Sequence, residues 1–200
     1  MKKLNALSLM FALLAIAFVV NARTVADVSS PPMIGATIVD FTLPDAGGAM
    51  RSLSSLEGKN GTVLIFIAVQ CPVSNGYNER MEKLAQDYKA RGINVVGINA
   101  NSTESAADVK DHAAKNNLTF PILKDNGNKI ADALGASRTP EAYFIDAGNK
   151  LLYHGRIDNS RDVTQVQSSE LRDALDATLA GKPVGKATAP AFGCSIKRAE

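Results

Sequence analysis

Cys71 and Cys194 are the two cysteines of this 200-residue chain, and of all its side chains they are the best suited to chemistry. Cys71 directly follows the apolar run of residues 62–69, in Val69-Gln70-Cys71-Pro72-Val73-Ser74. Beyond it, Tyr77, Met81, Leu84, Ala85 and Tyr88 recur at helical spacing. A thiol at the junction of a strand and a helix N-terminus meets unpaired N–H groups and the positive end of the helix dipole, both of which favour thiolate. The expectation is a nucleophilic Cys71. Pro72 suits the first helical turn because no N–H is needed there, and the Ser74 hydroxyl comes within reach of the sulfur as a donor. A small cysteine that merely packs is the plainer alternative.

Other residues are candidates to complete such a site. Thr139-Pro140 stands just before the strand expected over 141–146, either as a trans boundary proline or as a cis bond presenting the Thr139 backbone beside the thiol. Cys194 lies in Phe192-Gly193-Cys194-Ser195-Ile196-Lys197. Pairing with Cys71 is preferred to a free thiol or an intermolecular bridge, because Pro190 and Gly193 permit the reach without enforcing it. In the chain-entropy view a bond closing 123 residues stabilises the fold by roughly 5 kcal/mol before strain is subtracted. Arg156 is a possible thiolate-supporting cation, with a local salt bridge to Asp158 as the ordinary alternative. Tyr77 reads as core, Arg80 as a surface charge, Arg138 as a solvated loop charge and His112 as a packed or solvated ring.

These residues need elements to position them. Residues 62–69 and 93–99 are continuous apolar runs, the pattern of strands buried on both faces. Residues 38–43, 141–146 and 151–154 are further strand candidates, the last two around the turn Ala147-Gly148-Asn149. Helices are expected from Tyr77 to Tyr88, from an N-cap at Thr103 with Glu104 as first-turn acid to about Lys115, over 129–134, and from near Ser169 to Gly181. Strands alternating with helices indicate an α/β fold whose sheet is covered on both faces and closes with an antiparallel hairpin. Residues 181–200, without periodicity, read as a C-terminal tail carrying Cys194.

Composition and compartment narrow the chemistry. Lys2 and Lys3 precede an uncharged run of 15 residues, Ala6 to Val20, and Val20-Asn21-Ala22 offers a small-x-small cleavage pattern. The run has the length of a secretory h-region and falls short of the ~20 residues a membrane span needs. Residues 1–22 are therefore read as a signal peptide and 23–32 as a linker, with an uncleaved anchor as the alternative; the chain is expected to be exported, periplasmic or secreted, with no stable membrane insertion after cleavage. Cleavage removes Lys2 and Lys3 and leaves a near-neutral chain from a formal charge of +2. No basic block remains for nucleic acid. His112 and His154 are the two histidines and neither is near a cysteine, so no metal site is expected, and no glycine-rich phosphate loop suggests a cofactor.

Residues 33–180 resemble the thioredoxin-like superfamily, and within it the peroxiredoxin-like (AhpC/TSA, redoxin-type) domains with a single motif Cys. The resemblance rests on Asp40-Phe41-Thr42-Leu43-Pro44-Asp45, the strand into Val69-Gln70-Cys71-Pro72, the helix after it, and Arg138-Thr139-Pro140 before a strand. It implies a thioredoxin-like three-layer sandwich with a central mixed sheet, Pro140 cis and facing Cys71, and Cys71, Ser74, Thr139 and Pro140 as the site. Gln70 stands where thioredoxins have Trp, and Ser74 where they have the second Cys. The peroxiredoxin pattern Pro-x-x-x-Thr-x-x-Cys is met here by Ile67, Cys71 and Ser74, so that constellation is absent. Three functions remain: a thiol-disulfide oxidoreductase, which is preferred; a thiol peroxidase; and a non-enzymatic binding or metal-handling assembly factor. The expected partners are a disulfide or peroxide substrate and an external thiol reductant or partner protein, with Cys194 resolving.

Overall fold

The structure, a computed structural model, describes residues 31–199. The expected signal peptide and the linker through residue 30 lie outside the described residues. In chain order the first half contains β1 (Thr42–Pro44), β2 (Met50–Ser52), α1 (Leu53–Leu56), β3 (Gly61–Ile67), α2 (Pro72–Asn75), α3 (Asn78–Lys89) and β4 (Ile93–Asn99). The second half contains α4 (Ala106–Lys115), β5 (Ile122–Lys124), α5 (Lys129–Leu134), β6 (Arg138–Thr139), β7 (Glu141–Ile145), β8 (Leu151–Gly155), α6 (Glu170–Leu179), β9 (Thr188–Ala189) and β10 (Cys194–Ser195).

Six strands form the central sheet in the order β5-β4-β3-β7-β8-β9. Its first three strands are mutually parallel, β7 runs antiparallel to both β3 and β8, and β9 is parallel to β8. The sheet is therefore mixed. β3 can occupy its centre because every one of its residues is buried and most are β-branched or aromatic, side chains that pack well on a pleated surface. Alternation then sends Val63, Ile65 and Ile67 into one apolar cluster and Leu64 and Phe66 into the other. The first cluster receives Met81, Leu84 and Tyr88 of α3, Val109 of α4 and Leu171 and Leu175 of α6. The second receives Leu53 and Leu56 of α1, Ala131 and Leu134 of α5, and Ile196. Burying a side chain of this size contributes about 1.5–3 kcal/mol, so these two layers hold the sheet between them. The arrangement is the three-layer α/β sandwich of the thioredoxin fold.

Several boundaries differ from the sequence reading for identifiable reasons. The helix after Cys71 begins as the single turn α2 and resumes as α3 beyond Gly76 and Tyr77. The strand expected over 38–43 is reduced to β1, with Thr37 making an isolated bridge to Lys150. The N-cap of α4 is Ser105, not Thr103. Ser105 and Asp108 form a reciprocal capping box, with Oγ accepting from the Asp108 N–H at 3.1 Å and the Asp108 carboxylate accepting from the Ser105 N–H at 2.8 Å. That cap leaves Glu104 outside the helix and free to turn inward. The tail is not irregular throughout: β9 extends the main sheet and β10 pairs with β6. Among the described residues, no helix is long and apolar enough to cross a membrane.

Candidate active site

Cys71 follows β3 after residues 68–70 and caps α2. Its sulfur accepts the Ser74 N–H at 3.3 Å and lies 3.4 Å from the Thr139 carbonyl oxygen. The residue is 3% exposed. The donor that reaches the sulfur is thus the backbone N–H of Ser74 and not its hydroxyl, which instead accepts from the Ala68 N–H at 3.2 Å. A fixed N–H aimed at sulfur stabilises a thiolate without any reorganisation.

The Thr139–Pro140 peptide bond is cis. The short strand β6 that leads into it faces β10 in antiparallel register, with Cys194 opposite Thr139 and Ser195 opposite Arg138. Cys71 and Cys194 are joined in a disulfide across this junction. Gly193 takes a left-handed φ of +149°, and a Cβ there would run into the Thr139 carbonyl. Glycine is therefore required where the tail crosses the strand. Arg138 is exposed but lies in strand β6 and not in a loop, and it donates to the Ser195 hydroxyl at 3.0 Å. The Thr139 hydroxyl is buried with no hydrogen-bond partner among the described residues.

Two buried carboxylates hold the loops on either side of the disulfide. Glu104, 2% exposed, accepts from the Val69 and Gln70 N–H groups at 2.9 Å each and from the Asn99 and Asn101 amides at 2.6 and 2.9 Å. Burial pushes its carboxyl upward, but these donors outweigh burial and hold it below the ordinary range. Glu104 therefore stays charged and pins the two residues that precede Cys71. Lys124 lies in the same network, donating to Asn99 Oδ1 and to the Asn101 carbonyl; burial lowers its ammonium although Glu104 and Asp125 act against that. Glu141 accepts from the Ser137 and Arg138 N–H groups at 2.8 and 2.9 Å and is 2.6 Å from His154 Nε2. Burial raises its carboxyl, and the His154 contact with the two backbone donors more than reverses this. It fixes β6 from below.

The remaining candidates lie elsewhere. Arg156 does not reach the sulfurs: its guanidinium forks onto Glu170 at 2.5 and 3.2 Å. Asp158, expected beside Arg156, instead takes both Arg80 at 2.8–2.9 Å and the Tyr77 hydroxyl at 2.8 Å. Arg80 is not a surface charge, since its side chain is 16% exposed and its guanidinium carbon sits 3.5 Å over the Tyr77 ring. Tyr77 is core, as expected. His112 is packed between Asn78 and Asn116, and burial lowers its imidazole. Glu104 and Glu141 are the two site residues missed in the sequence. Glu104 was visible only as an acid near a helix start, and nothing in the spacing marked Glu141.

A sequence model of the AhpC/TSA family matches residues 34–154, more than half of the chain. This chain belongs to the AhpC/TSA family. A relative, the thiol-disulfide oxidoreductase ResA of Halalkalibacterium halodurans, is 33% identical over 118 residues, which make up 59% of this chain and 65% of that protein. The chain thus spans just under two thirds of that relative's length. Among solved structures, a hypothetical protein from Sinorhizobium meliloti is similar with a TM-score of 0.78 and 34% identity, over 85% of this AhpC/TSA chain and 97% of the other. An uncharacterized conserved protein from Geobacillus kaustophilus gives a TM-score of 0.79 at 31% identity, over 86% and 94% respectively.

Proposed function

We propose that this AhpC/TSA protein is an exported thiol-disulfide oxidoreductase in which Cys71 is the nucleophile and Cys194 its redox partner. The observation that carries the reading is the Cys71–Cys194 bond, with the Ser74 N–H aimed at the Cys71 sulfur. When the bond opens, that N–H supports Cys71 as thiolate, the form that attacks a disulfide sulfur. The bond between the two cysteines re-forms within the chain as the outside partner leaves, and an external thiol restores the reduced pair. The similarity to ResA, which is named a thiol-disulfide oxidoreductase, supports the same chemistry. Export rests on the basic start and the short apolar run of residues 1–22, and on the tendency of disulfides to persist in oxidising compartments.

Parallel kinetics test the reading. The reduced protein is mixed with oxidised glutathione or with hydrogen peroxide, and loss of thiol is followed in each. Faster loss with the disulfide than a free cysteine shows, and no such gain with peroxide, is the expected result. A gain with peroxide alone would make the site peroxidatic. N-terminal sequencing of the protein recovered outside the cytoplasm should begin at Arg23.

A further inference from the structure

The two sulfurs of the bridge are unequally open. Cys71 is 3% exposed, whereas Cys194 is partly exposed on the outer strand of the β6–β10 pair. Attack on a disulfide sulfur runs in line with the bond being broken, from the side away from the leaving sulfur. The covered Cys71 leaves less room for such an approach than the partly exposed Cys194.

The tail is held by more than the disulfide. Upstream of Cys194, β9 pairs with β8, where Gly155 lets the Ala189 backbone come close, and Phe192 meets the Tyr77 ring edge-on at 6.3 Å. Downstream, Ile196 is 6% exposed and its N–H donates to the Ser137 carbonyl. The Lys197 N–H donates to Asn101 Oδ1 at 2.8 Å, and the Lys197 carbonyl accepts the Ser102 N–H at 2.9 Å. Arg198 donates to the Ala136 carbonyl and pairs with Asp132 at 3.2 Å. Asn101 also donates to Glu104, which pins the loop before Cys71. One polar frame therefore reaches both cysteines in addition to the S–S bond.

We infer that Cys194, and not Cys71, is the sulfur through which this protein exchanges with outside thiols and disulfides. The inference rests on the thiol-exchange reading above and names the point of attack. An external thiolate bonds to Cys194 Sγ, the Cys71–Cys194 bond breaks, and its electron pair leaves on Cys71 as thiolate, facing the Ser74 N–H. A second external thiolate attacks the incoming sulfur, carries off a disulfide of the two external thiols, and frees Cys194, which takes a proton from water. Two thiols are thereby oxidised and one disulfide reduced. In the opposite direction, the Cys71 thiolate attacks Cys194 within a mixed disulfide and expels the partner as thiolate. Cys71 remains the nucleophile, acting inward.

Two full-length variants, Cys71→Ser and Cys194→Ser, each reduced and mixed with oxidised glutathione, test this. Cys194 in the first variant should react at least tenfold faster than Cys71 in the second, and the difference should vanish in guanidinium. An acid-quenched mixture of oxidised wild-type protein and glutathione, mapped by peptide mass, gives the same answer without a substitution: the adduct should sit on Cys194. Equal or faster reaction of Cys71, or an adduct on Cys71, would overturn the inference and leave thiol exchange intact. No reaction of either thiol beyond that of the unfolded chain would overturn the exchange reading itself, and this inference with it.

Discussion

Cys71 and Cys194 are bonded to one another yet held by opposite means. Cys71 belongs to the framework: it comes after a fully buried strand, caps a helical turn, and follows two residues whose N–H groups are pinned by Glu104. Cys194 belongs to a tail whose strands are two residues long and whose hold comes from the partners it lies on. The difference suits thiol exchange. One sulfur is fixed beside a donor that stabilises its thiolate, and the other is carried on a segment that faces outward.

The contrast can be broken first on the Cys71 side. Glu104→Gln places an amide NH₂ against backbone donors and leaves Lys124 with Asp125 alone as a nearby acid. We expect a loss of about 3–4 kcal/mol in denaturant unfolding. Unchanged stability would mean that the loop does not depend on this carboxylate.

The upstream attachment of the tail should respond to pH. Hydrogen bonding from Arg156 holds the Glu170 carboxyl down at about 2, against 4.5 when unperturbed, and Lys186 of the tail adds to it. Because the folded pKa lies below the unfolded one, the stabilisation is fully present above about pH 5 and is lost as pH falls through 4.5 toward 2. The difference corresponds to at most about 3 kcal/mol. Glu170→Gln should remove most of it, so that variant and wild type converge in stability near pH 2; a constant gap across the range would contradict the assignment.

Downstream, Ile196→Ala should cost about 2 kcal/mol through the cavity it leaves. It should also speed alkylation of Cys71 in a Cys194→Ser background, whereas a tail that moves freely in the wild type would give no change. The smallest effect concerns the junction itself. Thr139→Val replaces a buried hydroxyl that has no partner among the described residues, and should stabilise the oxidised protein by up to about 1 kcal/mol. Destabilisation would mean that the hydroxyl is hydrogen-bonded in solution.

Much of the framework was legible in the sequence because its signals are local. The apolar run before Cys71, the 3.6-residue period from Tyr77 to Tyr88 and the Leu171-Leu175-Leu179 stripe each specify an element from within itself. The Thr139-Pro140 dipeptide was legible as a candidate junction for the same reason. What escaped depends on partners distant in sequence. Arg80 finds Asp158 across 78 residues, and Glu104 finds Val69 and Gln70 across about 35. Charged residues at such separations read as surface unless the fold is known. The tail strands escaped for a related reason: two residues carry no alternation, and β9 and β10 exist only because β8 and β6 present free edges to them.

The account turns on whether the Cys71–Cys194 bond is an exchanging disulfide or a structural staple. Equilibrating the full-length protein in graded glutathione buffers and counting its thiols by mass measures this directly. Exchange chemistry predicts a midpoint between about −120 and −270 mV, the range of dithiols that catalyse exchange. A bond that stays closed to below about −300 mV behaves as a structural disulfide, and would contradict the account.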